Sequence, residues 1–356
     1  MTTPQDGEGR AGHEALPLPR ITISLVVFDG APWLPGCLAS LTEQETSDFE
    51  LLIHDNASRD DSLTTLRAWA STEPRARVVA SEQNLGYAAA HNRAIQDARG
   101  DVVLLLNQDV ELDRGFLAAV LETFGRYPDV GAVQARLRQL GGPGQRLDRL
   151  DSTGLSMGRD RRAVSRAQGQ ADGPRHQQPG PVWGVDGPAP AYRRRALLDA
   201  RLPRGDGSWE VLDEDFFLYK EDVDLAWRLR LLGWRSWYAP AALAWHARGT
   251  GTSGATKLLD IARANRSVGY EVRELSWRNQ RLMQIKNESL GSYLRDLPWI
   301  VRRELLSLGY IVLFDRARLR AVVRLISAMP AALRKRRYLR ARIQRSPRPP
   351  ESRWGP

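Results

Sequence analysis

The sequence predicts an α/β protein built on a mostly parallel sheet with helices on both faces. Three observations predict it. Over the first 135 residues, short apolar runs alternate with helical segments, the pattern that strands and crossover helices leave in a parallel sheet. The apolar runs are continuous rather than alternating, as strands buried on both faces require. Three of them stop abruptly in polar clusters: Phe28-Asp29-Gly30, Asp55-Asn56-Ala57-Ser58 and Asn107-Gln108-Asp109.

The elements follow in order. ITISLVVF (21–28) reads as the first strand and APWLPGCLASLTEQ (31–44) as a helix with apolar residues three and four apart. FELLIHDN (49–56) is the second strand, and DDSLTTLRAWAST (60–72) a helix capped by Asp60 or Ser58. RVVASE (77–82) is the third strand, YAAAHNRAIQDARG (87–100) a helix closed by Gly100, and DVVLLLN (101–107) the fourth strand. A helix over 115–127 and a strand over 130–135 complete the first half. Residues 136–181, rich in Gly, Arg, Gln and Pro with little periodicity, read as a flexible surface insertion. Order returns at VWGVDGPAPAYRRRALLD (182–199), continues through 210–234, and ends in the strand RSWYAPAALAWH (235–246). The expected plan is a disordered lead over 1–19, one catalytic domain over 20–250 with halves at 20–135 and 182–250, and a helical extension over 251–356.

Charge separates these parts. Residues 251–356 hold 23 Lys and Arg against 8 Asp and Glu, a local +15, whereas the first 250 hold 29 against 34, or −5. A mildly acidic body with a basic arm argues against a nucleic-acid-binding protein. The arm carries arginines on one helical face and Leu, Ile, Val and Trp on the other. Residues 290–345 therefore suit either an anionic membrane surface or packing on the body. No run approaches the roughly 18–20 apolar residues that cross a bilayer. The single cysteine, Cys37, suits a reducing cytosol, and the lead lacks the apolar core of a signal peptide. The expected location is the cytoplasm, peripheral on the inner face of the plasma membrane.

In open α/β sheets, ligands bind outside the carboxyl ends of the strands. One polar strand end is a cap; three on the same edge make a site. The loop after the first strand, Phe28-Asp29-Gly30-Ala31-Pro32, has neither G-x-G-x-x-G nor a P-loop. A divalent cation, Mg²⁺ or Mn²⁺, is then the natural group to neutralise phosphates. Asp109 suits it, with Asn107 two residues earlier pointing the same way along a strand. A second acidic group, Asp213, Glu214, Glu221 and Asp222, lies among Phe216, Phe217 and Tyr219. Acids at a helix start are favoured by the dipole alone, but among aromatics they also suit a general base.

The segments LVVFDG, LLIHDNASRDDS, NLGYAAAHN (84–92), LLLNQDV, DEDFFLYKEDVDLAWRLRLLGW and AWH, in this order, resemble family 2 glycosyltransferases with the GT-A fold, in the rhamnosyltransferase-like branch. The resemblance implies inverting transfer of a sugar from a nucleotide diphosphate, dTDP-rhamnose ahead of UDP-sugars, to a hydroxyl of a glycan or lipid-linked acceptor in cell-envelope polysaccharide synthesis. It implies base contacts from Val27, Phe28, Asp29 and Asp55, although Val27 and Asp29 replace the usual Thr and Asn. Asn84, Gly86 and His91-Asn92 would line ribose and phosphates. Asn107-Gln108-Asp109 would be the metal motif, completed by His246. Asp222 would be the general base with Glu221 beside it, and Trp183, Asp186, Gly187 and Asp224 would face the acceptor. A sugar-1-phosphate nucleotidyltransferase is disfavoured by the missing Gly-rich basic loop after the first strand, and an inactive scaffold by the intact Asp109 and Asp222.

Overall fold

The computed structural model describes residues 19–248, 269–315, 318 and 320–347. All but residue 19 of the expected N-terminal lead, and the Gly-rich stretch after Arg248, lie outside the described residues.

Strand β1 (Ile21–Val27) is followed by α1 (Leu34–Thr42), β2 (Phe49–Asp55), α2 (Ser62–Ala70), β3 (Ala76–Ala80), α3 (Tyr87–Asp97) and β4 (Val102–Asn107). Then come β5 (Val110–Leu112), α4 (Phe116–Arg126), β6 (Val130–Leu140), β7 (Arg146–Ser152), β8 (Leu155–Met157), β9 (Ala163–Ser165) and β10 (Gly180–Val182). β11 (Ala191–Arg193), α5 (Arg194–Asp199), β12 (Leu202–Pro203), β13 (Trp209–Glu210), α6 (Glu221–Leu231) and β14 (Arg235–His246) complete the body. Three helices follow: α7 (Tyr270–Asn287), α8 (Leu290–Phe314) and α9 (Arg320–Arg345).

The main sheet runs β10-β14-β6-β11-β4-β1-β2-β3. β1 lies parallel to β2 and β4, β2 to β3, and β6 to β14. β11 is antiparallel to both β4 and β6, so the sheet is mixed at its centre. The pleat explains the unbroken apolar run of β4. Leu104 and Leu106 join a core with Leu34, Leu41, Phe116 and Val120, while Val103 and Leu105 join another with Ala88, Leu197, Leu225 and Leu229. Each fully buried leucine contributes about 1.5–3 kcal/mol.

The first four helices are each shorter than expected, spanning 34–42, 62–70, 87–97 and 116–126. α3 ends at Asp97 with Ala98 already extended, so Gly100 does not close it. Gly100 is required instead by close approach: a Cβ there would lie 2.5 Å from the Thr22 nitrogen. The N-cap of α2 is Asp61, without a side-chain cap bond, rather than Asp60 or Ser58; Asp60 accepts from the Ser62 nitrogen (3.0 Å), and Ser58 serves the β1 loop, accepting from the Asp29 nitrogen (3.1 Å). In 136–181, where little periodicity was legible, the chain forms the end of β6, then β7 to β9 and part of β10.

The C-terminal helices are fastened to the body by buried charge. Lys286 of α7 pairs with Asp213 and, at 2.9 Å, with Asp224. Lys335 of α9 reaches Glu210 (2.6 Å) and Asp213 (2.5 Å), and Leu339 enters the core beneath α6. α8 differs, for it leaves Leu305, Leu313 and Phe314 64–70% exposed. No helix among the described residues is long and apolar enough to cross a membrane.

Candidate active site

The parallel register brings the three polar strand ends together. Val27 stands opposite Asp55, and Val26 opposite Asn107. Past the strands, the Asn56 nitrogen donates to the Val27 carbonyl (2.7 Å), the Asp29 carboxylate accepts from the Arg59 nitrogen (2.7 Å), and the Gly30 nitrogen donates to Ser62 Oγ (2.9 Å). Asp29 and Ala57 hold left-handed φ angles of 47° and 66°, strain of the kind stored at functional edges. Together they frame a cavity of about 500 Å³ walled by Phe28, Asp55, Ser58, Arg59, Ser81 and Asn84. Asp55 uses one carboxylate oxygen to accept from the Ser58 nitrogen (3.2 Å); the other is buried and meets no donor among the described residues. That oxygen is ready for a ligand N–H.

Several expected contacts are internal struts. Gln108 locks the β1 loop, accepting from the Phe28 nitrogen (2.8 Å) and donating to its carbonyl (3.1 Å). Asn84 accepts from Asn56 Nδ2 and the Gly86 nitrogen. Gly86 adopts φ 81° and admits the Phe217 ring where a Cβ would stand 2.5 Å from it. Asn92, expected near ribose and phosphates, donates to the Leu212 carbonyl and Glu214 and accepts from the Val211 and Leu212 nitrogens. Both its N–H bonds and both oxygen lone pairs are engaged, which leaves nothing for a ligand. His91 is buried with Nδ1 on Ser24 (2.7 Å), and burial pushes its imidazole down to about 3.

Asp109 and His246 meet where β5 pairs with β14. His246 Nε2 lies 3.5 Å from the Asp109 carboxylate, and Nδ1 is held by Asp151 at 2.8 Å. Burial pushes this imidazole down, yet hydrogen bonds to Asp109 and Asp151 more than offset it and raise it to about 9. A carboxylate behind an imidazole is the arrangement that orients metal-ligating histidines. Asn107 Oδ1, on the same edge, is buried with no partner among the described residues. These donors fit a hard cation. No cluster of three or more His, Cys, Asp or Glu side chains suited to a metal occurs among the described residues.

From Asp151 the chain of charge continues. Arg248 donates to Asp151 at 2.6 Å and lies 3.6 Å from Asp186. Asp186 also accepts from Ser165 Oγ (2.5 Å) and is followed by Gly187, where a Cβ would stand 3.4 Å from an Asp222 oxygen. Asp222 is the second residue of α6, after a strained approach in which Phe217, Tyr219 and Lys220 take φ of 61°, 69° and 75°. Burial, then the charge of Asp186, pushes its carboxyl up to about 6; burial and then Asp222 push Glu221 up to about 8. Two adjacent buried carboxyls raised in this way share their protons, an environment that suits proton transfer. Tyr87 spans the gap: its hydroxyl donates to the Gly187 carbonyl (3.1 Å), and its phenol, raised first by burial, also feels Glu221, Asp222 and Asp109.

Two expected acceptor residues face the core. Trp183 is 3% exposed, packed edge-on against Trp227 with ring centroids 6.3 Å apart. Asp224, fully buried, is taken up by Arg228 (2.9 Å), Lys286 and Asn287 (2.8 Å). Asp151, Arg248, Tyr87 and Arg59 were not anticipated. Asp151 sits in LDRLDS, fully buried between Leu150 and Ser152, whereas Asp148 of the same stretch is exposed.

The family model described as glycosyl transferase family 2 matches residues 22–199, half of the chain. The chain belongs to glycosyl transferase family 2. It is a glycosyltransferase with a GT-A-type mixed, mostly parallel sheet. It is 29% identical over 289 residues to an N-acetylglucosaminyl-diphospho-decaprenol L-rhamnosyltransferase of Mycobacterium tuberculosis, covering 72% of this chain and 88% of that one. An N-acetylglucosaminyltransferase of Rhizobium meliloti is 28% identical over 253 residues, covering 67% and 54%. Among solved structures, S. aureus TarS 1–349 in complex with UDP aligns with a TM-score of 0.54 at 16% identity, covering 91% of this chain and 88% of that one. GalNAc-T7 with UDP, GalNAc and Mn²⁺ gives 0.53 at 13% identity, covering 76% and 52%. At these identities the likeness speaks for the fold of this family 2 enzyme.

Proposed function

We propose that this glycosyltransferase inverts configuration as it moves a sugar, rhamnose first, from a nucleotide diphosphate to a hydroxyl of a glycan or lipid-linked acceptor, in cell-envelope polysaccharide synthesis. The observation that carries the reading is the line of contacts from Asp109 through His246, Asp151 and Arg248 to Asp186, with the Asp222 carboxylate beside the Gly187 that follows. It supports a reading in which leaving-group charge and proton removal are handled on neighbouring sides of one site. The L-rhamnosyltransferase relative supports the sugar and a lipid-linked acceptor.

Asp55 takes the N–H of a pyrimidine base with its partnerless oxygen, while Phe28 and Arg59 wall the nucleoside. Asp109 and His246 would hold Mg²⁺ or Mn²⁺, which when bound neutralises charge on the departing diphosphate. Asp222 accepts the proton of the acceptor hydroxyl as that oxygen attacks the anomeric carbon from the face opposite the diphosphate. Glu221, buried beside Asp222, raises the basicity of the pair. Asp186 and Gly187 border the acceptor. The exposed face of α8 and the basic arm around it suit peripheral attachment to an anionic membrane on its cytoplasmic side.

Thermal-shift titration with dTDP-, UDP- and GDP-sugars, each with and without Mn²⁺, tests this. The expected result is Mn²⁺-dependent stabilisation, largest with dTDP-rhamnose. Stabilisation by none of these donors, or equal stabilisation without the cation, overturns the reading.

A further inference from the structure

Two consecutive amides of α7 gather basic side chains from separate loops. Asn279, fully buried, donates through Nδ2 to the carbonyls of Phe216, Leu218 and Tyr219, each at 2.9 Å. Gln280 donates through Nε2 to the Arg161 carbonyl at 2.8 Å. The residues that follow these anchored carbonyls are Lys220 and Arg162. α8 supplies a third cation, for Arg303 Nη1 donates to the Asp160 carbonyl at 3.2 Å. Arg159 of the same turn lies over the Trp299 ring of α8 at 3.5 Å and pairs with Asp296 at 2.9 Å, fixing the turn to the helix.

These anchors bring the chain at Lys220, the turn at Arg162 and the Arg303 side chain to one region of the surface of α7 and α8. Burial depresses the Lys220 ammonium, Arg303 and Arg162 depress it further, and Asp222 and Asp186 oppose them. The acids nearest Arg303 are Glu304, at 3.8 Å and also paired with Arg281, and Asp160, which accepts from the Arg162 nitrogen at 3.1 Å. Lys220 immediately precedes Glu221 and Asp222. Along α8, Trp299, Leu306, Tyr310 and Phe314 stand four before and three, seven and eleven after Arg303, on its face of the helix. Trp299, Leu306 and Phe314 are exposed.

We propose that Lys220, Arg162 and Arg303 form the binding site for the diphosphate of a prenyl-diphosphate-linked acceptor, whose chain lies along Trp299, Leu306, Tyr310 and Phe314. The assignment rests on Asp222 being the base, because it sets the anion beside the carboxylate that meets the hydroxyl. Guanidinium groups suit diphosphate oxygens through paired hydrogen bonds, and a lipid chain covers an apolar strip that water leaves unsatisfied. The site therefore selects an acceptor whose reacting sugar is the one joined directly to the diphosphate.

Calorimetric titration of farnesyl diphosphate into the full chain, with dTDP and Mn²⁺ saturating the donor side, tests it. Wild type should bind, and Lys220→Gln and Arg303→Gln should each weaken binding about tenfold, the loss of one charge-assisted contact. Inorganic pyrophosphate should bind at least about tenfold more weakly than farnesyl diphosphate, since it buries no chain. Leu306→Ser should weaken only the farnesyl compound. Equal binding by the charge variants, pyrophosphate as tight as farnesyl diphosphate, or retention of phosphatidylglycerol vesicles without farnesyl diphosphate binding would each overturn the assignment. dTDP binding measured on the same samples separates a failed acceptor site from a failed donor reading.

Discussion

His246 and Asp109 face each other across 3.5 Å, while Asp151 fixes the far side of the imidazole at 2.8 Å. The side chain that aims the histidine comes from β7, more than ninety residues earlier in the chain. Asp151→Asn keeps the shape and removes the charge. Mn²⁺ affinity, measured by calorimetry in the presence of dTDP, should fall about 10–100-fold, the usual cost of losing such a partner. Unchanged affinity would remove His246 from the metal site.

Asp222→Asn should lower the transfer rate by about 10²–10⁴-fold, the range expected for general base catalysis. Donor affinity should stay near wild type, because the proposed nucleotide cavity is lined by the segments after β1, β2 and β3 and not by Asp222. Turnover within a few-fold of wild type would dispose of the base assignment.

The pH profile follows from the groups around Asp222, which are Asp186, Lys220, Glu221 and Arg248. A base works only when deprotonated, and its folded value is about 6. kcat/KM should therefore rise as pH increases through about 6 and level off above it. Asp186→Asn removes a repelling anion and should move the midpoint down. Lys220→Gln removes an attracting cation and should move it up. Shifts in the opposite directions would contradict the electrostatic account.

Buried charge predicts stability. Lys286, fully buried, answers both Asp213 and Asp224. Lys286→Met leaves those carboxylates undercompensated and should cost about 3–5 kcal/mol in denaturant unfolding. A cost below about 1 kcal/mol would show that the network contributes little.

Membrane attachment is better probed by substitution than by truncation, because α9 supplies Leu339 to the core and Lys335 to Asp213. Leu305→Glu with Leu313→Glu alters only exposed positions of α8. Co-sedimentation with phosphatidylglycerol liposomes should be lost in this variant and kept by wild type. Equal sedimentation would rule out the α8 face as the contact.

The strands were legible because buried parallel strands need unbroken apolar runs; β14 has the bounds that its sequence suggests, and β1, β2 and β4 differ by one residue at an end. β11 was harder to read, because three residues among prolines carry no periodicity, and its antiparallel pairing depends on partners far away. Within the site, Asp55 and Asn107 end neighbouring strands and Asp109 meets His246, as the motifs lead one to expect of their positions. Asn92, Trp183 and Asp224 belong to the same motifs but turn inward. Order along a chain does not reveal which way a side chain faces once a helix begins. Asp151 and Arg248 were hidden for the converse reason: their roles come from burial against His246, which no local pattern announces.

The most direct measurement is anomalous diffraction from crystals soaked with Mn²⁺ and dTDP. The account predicts a manganese peak in coordination contact with Asp109 and His246, at about 2.0–2.3 Å as oxygen and nitrogen ligands require, with the nucleotide diphosphate on its open side and the Asp222 carboxylate facing the same pocket. A peak away from Asp109, or a nucleotide whose diphosphate points away from Asp222, would contradict it.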